Sequence, residues 1–192
     1  ENKFSILDNG RGIPLSNNTP VIISAKLFSG AKFQDKKTAY EISSGLHGVG
    51  LVAVNALSTN YKIEIYRKEK YARYLFEDAK LKFSKVEEYK GTCPFSTKIE
   101  FQPDKKYFET VKPDLDRIRK RLTTASAEMQ DGITFVLIVD DKKELFRLTK
   151  IDHFVMSCLD SKPEQIETIN LKSEKTPEKF EVILAYEKES ST

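Results

Sequence analysis

A chain of 192 residues is long enough for one full hydrophobic core and part of a second domain. Its 39% apolar and 32% charged content fits a soluble globular protein, and a net charge of +3 is too modest to call for nucleic acid by itself. No apolar run approaches the roughly 18 residues of a membrane span, no signal-peptide pattern opens the chain, and Cys93 and Cys158 are too few and too far apart for a disulfide framework or metal site. The expectation is a cytoplasmic protein with reduced thiols and no membrane contact.

Phe4 to Leu7 alternates as a strand. The chain thus begins almost inside an element, which points to a natural N-terminal part ahead of Glu1. Asp8-Asn9-Gly10-Arg11-Gly12-Ile13-Pro14 follows. Gly10 and Gly12 permit close backbone approach, and Asp8, at the strand's end, can aim a carboxylate into a cleft. Asp-Asn-Gly is also one of the commonest turn sequences, with a purely structural use. Thr19-Pro20 reads as an N-cap and first helical residue, opening a helix with Val21, Ile22, Ala25 and Phe28 on one stripe and an end near Gly30. Residues 31–44 show no periodicity and read as a mobile loop.

Ser44-Gly45-Leu46-His47-Gly48-Val49-Gly50 is the second glycine motif. A glycine-rich turn whose following helix points free N–H groups back at it makes an anion site, most naturally for phosphate. Leu51 to Leu57 is apolar nearly all round, which suits a buried helix. Tyr61 to Arg67, Tyr71 to Glu77, Lys80 to Phe83 and Thr97 to Gln102 alternate as antiparallel strands, with Lys68-Glu69 as the first hairpin turn. Pro113 opens a helix bearing Leu115, Ile118, Leu122 and Ala125, and its face of Arg117, Arg119, Lys120 and Arg121 reads as solvated rather than as a DNA site. Ile133 to Val139 reads as a central strand, Asp140 to Lys143 as a turn, and Leu145 to Leu148 as its partner. Ile151 to Leu159 suits a short helix, Ile166 to Leu171 and Phe180 to Tyr186 two further strands, and Glu187 to Thr192 a polar tail.

Asp8 to Pro14, Leu27-Phe28-Ser29-Gly30-Ala31-Lys32-Phe33, and Ser44 to Gly50 continuing as Val54-Asn55-Ala56-Leu57-Ser58 together resemble the ATP-binding domain of bacterial type IIA DNA topoisomerase B subunits, gyrase and topoisomerase IV. These belong to the GHKL ATPase superfamily. The resemblance is strongest over Phe4 to Arg67.

It implies an α+β two-layer sandwich of the Bergerat type: a mixed, mostly antiparallel sheet with helices on one face, over residues 1–150, then the first strands of a transducer domain over 151–192. The last two strands of the ATPase sheet would be those around Ile133 to Leu148, and residues 31–44 would be the lid over ATP. Asp8 would accept the adenine amino hydrogen, with Gly12 and Thr97 holding a water beside it. Asn9 and Arg11 would flank the base, and Ile13 and Pro14 would wall it. The backbone N–H groups of Gly45, Leu46, His47, Gly48, Val49 and Gly50 would cradle the phosphates, and Lys32 would reach the phosphates or ribose. Arg67 would stand at the pocket mouth, where aminocoumarin inhibitors bind. Ala31 replaces a second glycine usual in bacterial relatives, which leaves the loop's conformation there open.

Mg²⁺ is implied with ATP. The catalytic glutamate and Mg²⁺-binding asparagine would lie on a helix ahead of residue 1, and a phosphate-sensing lysine beyond Thr192, so no catalytic or metal residue is assigned within the chain. Implied partners are a topoisomerase A subunit, DNA, and a second copy on ATP binding. Two other readings are another GHKL ATPase, such as a MutL-like repair protein or a chaperone, and a nucleotide-binding module without turnover.

Overall fold

Alternation dictates the central strand. In Ser58–Arg67 (β2) Tyr61, Ile63 and Ile65 are buried on one face, while Lys62, Glu64 and Tyr66 take the other. A computed structural model describes residues 3–27, 48–128 and 133–147 with their side chains, apart from that of residue 128, and the backbone of 166–173 and 180–187. The chain falls into two compact units, Glu1–Lys112 and Pro113–Thr192.

The first unit is built on a five-stranded sheet. Its strands are Phe4–Asp8 (β1), β2, Lys70–Glu77 (β3), Lys80–Glu88 (β4) and Thr97–Pro103 (β5), in the spatial order β1-β5-β2-β3-β4. Every described pairing is antiparallel. Tyr61, Ile63, Ile65, Ala72, Tyr74 and Phe76 form the buried core, and Ile13, Leu15, Val21, Val54, Ile99 and Phe101 pack against it. Two short helices, Thr19–Ala25 (α1, after a 3-10 turn at Ser16–Asn18) and Gly50–Ala56 (α2), pack on each other, and α2 also meets β2 and β5.

Both helices differ from the periodicity reading. α1 starts after Asn18, whose left-handed backbone (φ 53°) makes it the N-cap in place of Thr19, and Lys26 is already extended. The buried residues of α1 are Pro20 and Ser24, and Ala25 is exposed. In α2 the fully buried residue is Asn55, while Ala53, Ala56 and Leu57 are exposed. Apolar composition overstated its burial, because only one side of α2 is packed and a polar residue holds its centre. β4 runs to Glu88 rather than Phe83, extended by pairing with β3 past a bulge at Leu75/Phe76.

The hairpin turns at Lys68-Glu69, Asp78-Ala79 and Asp140-Asp141 all have positive φ at both residues (49° and 57°, 47° and 60°, 46° and 63°). Two-residue turns of this hand match the twist of the flanking strands.

On the outer face of the sheet lies a lattice of charge. Lys62 Nζ is 2.7 Å from Glu64 and 3.2 Å from Glu100, Lys98 Nζ is 3.0 Å from Glu100 and 3.7 Å from Glu64, and Tyr71 donates its hydroxyl hydrogen to Glu64. Burial alone would push the Glu64 carboxyl up, but the hydrogen bonds from Lys62 and Tyr71 and the charges of Lys62 and Lys98 outweigh it and hold the carboxyl below its ordinary value.

In the second unit Asp114 caps Leu115–Glu128 (α3), accepting at Oδ1 from Arg117 N at 3.0 Å, so the helix starts after Asp114 rather than at Pro113. Phe135–Val139 (β6) and Lys142–Phe146 (β7) pair with each other as a two-stranded sheet. Arg119 reaches Glu144 with two hydrogen bonds of 2.8 Å, which ties α3 to β7. Ile166–Ser173 (β8) and Phe180–Glu187 (β9) form a further hairpin. The helix expected over Ile151 to Leu159 lies outside the described residues.

Glu64 titrates lower folded than unfolded, so its contribution is complete above the unfolded carboxylate value of about 4.3 and is lost as pH falls through the folded value. Glu64→Gln should cost about 2 kcal/mol at pH 7 and flatten the loss of stability below a pH of about 4.3, read by urea unfolding across pH; an unchanged slope refutes the lattice as the acid-sensitive element. Ala79→Gly should stabilise the chain by about 0.5–1 kcal/mol, because alanine is strained at a left-handed position; thermal unfolding gives the sign.

Candidate functional site

Register brings the first motif together. β1 and β5 pair antiparallel with Asp8 opposite Thr97, and Thr97 in turn faces Ile65 of β2, so these side chains share the inner face of the sheet. Thr97 is buried and Asp8 is exposed. Just before β5, Ser96 knits three strand ends: its N–H donates to the Asp8 carbonyl at 2.7 Å, and its own carbonyl accepts from Tyr66 N at 2.8 Å.

Beyond Asp8 the chain turns on its own carboxylate, because Gly10 N donates to Asp8 Oδ1 at 2.9 Å. Gly12 then adopts φ +71°, and a Cβ there would stand 3.1 Å from the Tyr66 carbonyl oxygen and 3.3 Å from that of Ser96. Any other residue would be strained there in both conformation and space. Arg67 Nη1 donates to the Gly12 carbonyl at 2.6 Å and closes the loop from the other side. Ile13 packs on the core, as its type suggests, and Pro14 with Leu15, Ser16, Arg67, Lys68 and Lys70 lines a cavity of about 250 Å³. Asn9 and Arg11 are exposed.

Of the second motif, the described residues are Gly48, Val49 and Gly50. Gly48 has φ +61°, which favours glycine, and the Val49 carbonyl accepts from Ala53 N at 2.9 Å to begin α2. A Cβ on Gly50 would meet nothing within 4 Å among the described residues, so their packing does not require glycine there. Lys32, Gly45, Leu46 and His47 lie outside the described residues, as does the expected lid over 31–44. Among the described residues no three of His, Cys, Asp and Glu gather as a metal cluster, and no helix is long and apolar enough to cross a membrane.

Asp8, Gly12, Arg67 and Thr97 are therefore brought to one end of the sheet, with Pro14 on the cavity beside Arg67. Sequence reasoning missed three contributors. Ser96 acts through its backbone and leaves no side-chain signal. The Arg67–Gly12 bond spans 55 positions. Asn55 stands in the motif quoted above, but its burial as a lone amide in an apolar helix was not anticipated.

The chain is 36% identical over 151 residues to the B subunit of DNA topoisomerase 4 from Francisella tularensis subsp. holarctica, covering 75% of this chain and 24% of that protein. It is 39% identical over 149 residues to the B subunit of DNA gyrase from Borreliella burgdorferi, covering 74% of this chain and 23% of that protein. Among solved structures it is similar to the topoisomerase IV ATP binding domain of Francisella tularensis in complex with a small-molecule inhibitor, with a TM-score of 0.58 and 27% identity, covering 76% of this chain and 70% of that one. No family model matches the sequence.

Sheet order, glycine loops and these similarities define an α+β domain of the GHKL ATPase type. The chain belongs to the family of gyrase and topoisomerase IV B subunits, in the region that holds their ATPase domain. It spans about a quarter of the length of the curated relatives it matches.

Gly12→Ala should lower stability by about 1–3 kcal/mol, because the added methyl must be accommodated by two backbone carbonyls in a left-handed conformation. Gly50→Ala, with open space and helical backbone, should cost nothing or stabilise slightly. Chemical unfolding of both variants checks the contrast, and equal effects would contradict the geometry.

Proposed function

We propose that the first unit binds the adenine of ATP at Asp8, and that it is the nucleotide-recognition part of the B subunit of an ATP-dependent type II DNA topoisomerase. The observation that carries this reading is the pairing of exposed Asp8 with buried Thr97 at the end of β1 and β5, beside a loop in which a side chain at Gly12 would be strained. A carboxylate accepts the exocyclic amino hydrogen of adenine, and a hydroxyl with a nearby backbone can hold a water on the adjacent ring nitrogen. Asn9 and Arg11 flank the base, Ile13 and Pro14 wall it, and the backbone of Gly45 to Gly50 cradles the phosphates with help from Lys32.

Bound ATP brings Mg²⁺ on its phosphates. The cation supplies charge neutralisation there, while the side chains of this chain bind and orient the nucleotide. The glutamate base and Mg²⁺-binding asparagine belong, on this reading, to a helix ahead of residue 1. Arg67 and the Pro14 cavity form the mouth where an aminocoumarin would sit. In the whole cytoplasmic enzyme, ATP binding would dimerise two such domains and close a gate on DNA, with strand cleavage assisted by an A subunit. The ATP-binding domain would extend over residues 1–150, and residues 151–192 would begin a transducer.

Thermal unfolding with and without a non-hydrolysable ATP analogue and Mg²⁺ tests the reading. Ligand at about 100 times its dissociation constant should add about 2.7 kcal/mol, a rise of several degrees. Asp8→Asn should keep the acceptor for Gly10 N–H while turning amide donors toward the adenine amino group, so the fold survives and affinity falls about 10–100-fold. No stabilisation of the unaltered chain, or full stabilisation of Asp8→Asn, would overturn the assignment.

A further inference from the structure

Three polar groups meet inside the packing of α1, α2 and β2. Ser24 is fully buried, and Asn55 and Tyr61 are each 1% exposed. Ser24 Oγ donates to the Pro20 carbonyl at 2.6 Å, and Asn55 Nδ2 crosses from α2 to donate to the Ser24 carbonyl at 3.0 Å. That carbonyl lies in the last turn of α1, where the helix itself offers it no partner. Asn55 Oδ1 and the Tyr61 hydroxyl have no hydrogen-bond partner among the described residues. Burial pushes the Tyr61 phenol up to about 12, offset in part by the Ser24 hydroxyl beside it.

Folding alone does not favour an asparagine here. The amide oxygen has no partner among the described residues, which is unfavourable, and the bond to the Ser24 carbonyl is set against that. What the amide adds is direction. Apolar contacts such as those of Val21 and Val54 allow two helices to slide, whereas a hydrogen bond fixes distance and angle. The two helices are also the ones that matter to the site. α1 follows the Asp8–Pro14 loop after one 3-10 turn, and α2 begins at Gly50, the end of the second glycine motif.

We propose that Asn55 is a positioning residue for nucleotide binding: by tying α2 to the Ser24 carbonyl it sets the spacing between the Asp8 side of the site and the Gly48–Gly50 side. The proposal rests on the nucleotide reading above. A ligand that reaches both sides is sensitive to that spacing, and a ligand that reaches only the base side is not.

The test is the ratio of affinities for a non-hydrolysable ATP analogue with Mg²⁺ and for adenosine, measured on the full chain. Asn55→Leu should fold with a modest loss of thermal stability, because the Ser24 carbonyl loses its donor, bind adenosine as the unaltered chain does, and lose about tenfold in affinity for the ATP analogue. Tyr61→Phe removes the phenol hydroxyl from the same cluster but leaves the tie intact, so it should keep the original ratio. Should Asn55→Leu fail to fold, Asn55→Ala reads the same ratio. An unchanged ratio in the Asn55 variant, or an equal change in Tyr61→Phe, overturns the positioning role while leaving nucleotide binding in place. An unaltered chain that binds neither ligand overturns the nucleotide reading and the positioning role together.

Discussion

A side chain at residue 12 would crowd two backbone carbonyls in a left-handed conformation, and much of the site depends on that. Its backbone is left-handed and passes beside the carbonyl oxygens of Tyr66 and Ser96, where a β-carbon would stand 3.1 and 3.3 Å from them. Because the loop passes there, Arg67 can reach the Gly12 carbonyl from β2. The same Ser96 holds the Asp8 carbonyl and is held by Tyr66, so the end of β1, the start of β5 and the end of β2 form one hydrogen-bonded corner. Asp8 is thus placed by backbone bonds, and its carboxylate is exposed at the sheet's end with one oxygen engaged by Gly10.

The two faces of the sheet divide the work. Asp8, Thr97 and Ile65 face inward with the core and the helices, while Lys98, Glu64 and Lys62 face outward in the ionic lattice. Successive side chains of a strand point to opposite faces, so the outer lattice can alter stability without touching the inner site. Buried ion pairs are not strong stabilisers in general. Here each carboxylate of the lattice has at least two cationic partners, and Glu64 has a phenol as well.

The sheet was legible because β2, β3 and β5 alternate cleanly, and alternation is the direct print of a pleated strand with one wet face. The Asp8–Pro14 loop was legible because glycine at a tight approach leaves its mark in composition. Other features left less trace. The end of α1 at Ala25 has no proline or glycine beside it. β4 continues to Glu88 because β3 offers a paired edge, a long-range reason that no local window contains. The Ser96 bonds are carried by backbone atoms and are invisible to any reading of side-chain types.

The largest departure concerns α2. An apolar segment directly after the second glycine motif reads as a core helix, yet seven residues make fewer than two full turns, and such a helix can press only one narrow side against the sheet. Val54 packs there, and beside it Asn55, not one of the aliphatic neighbours, takes the fully buried position. A short helix held by apolar contact alone would be free to shift along its axis, since marginal helices of this length draw little stability from their own hydrogen bonds. An amide at its centre, bonded to the end of the preceding helix, removes that freedom, at the cost of an oxygen with no partner among the described residues. In a site whose two motifs ride on separate short helices, the definition of their spacing outweighs the loss of a better packed core.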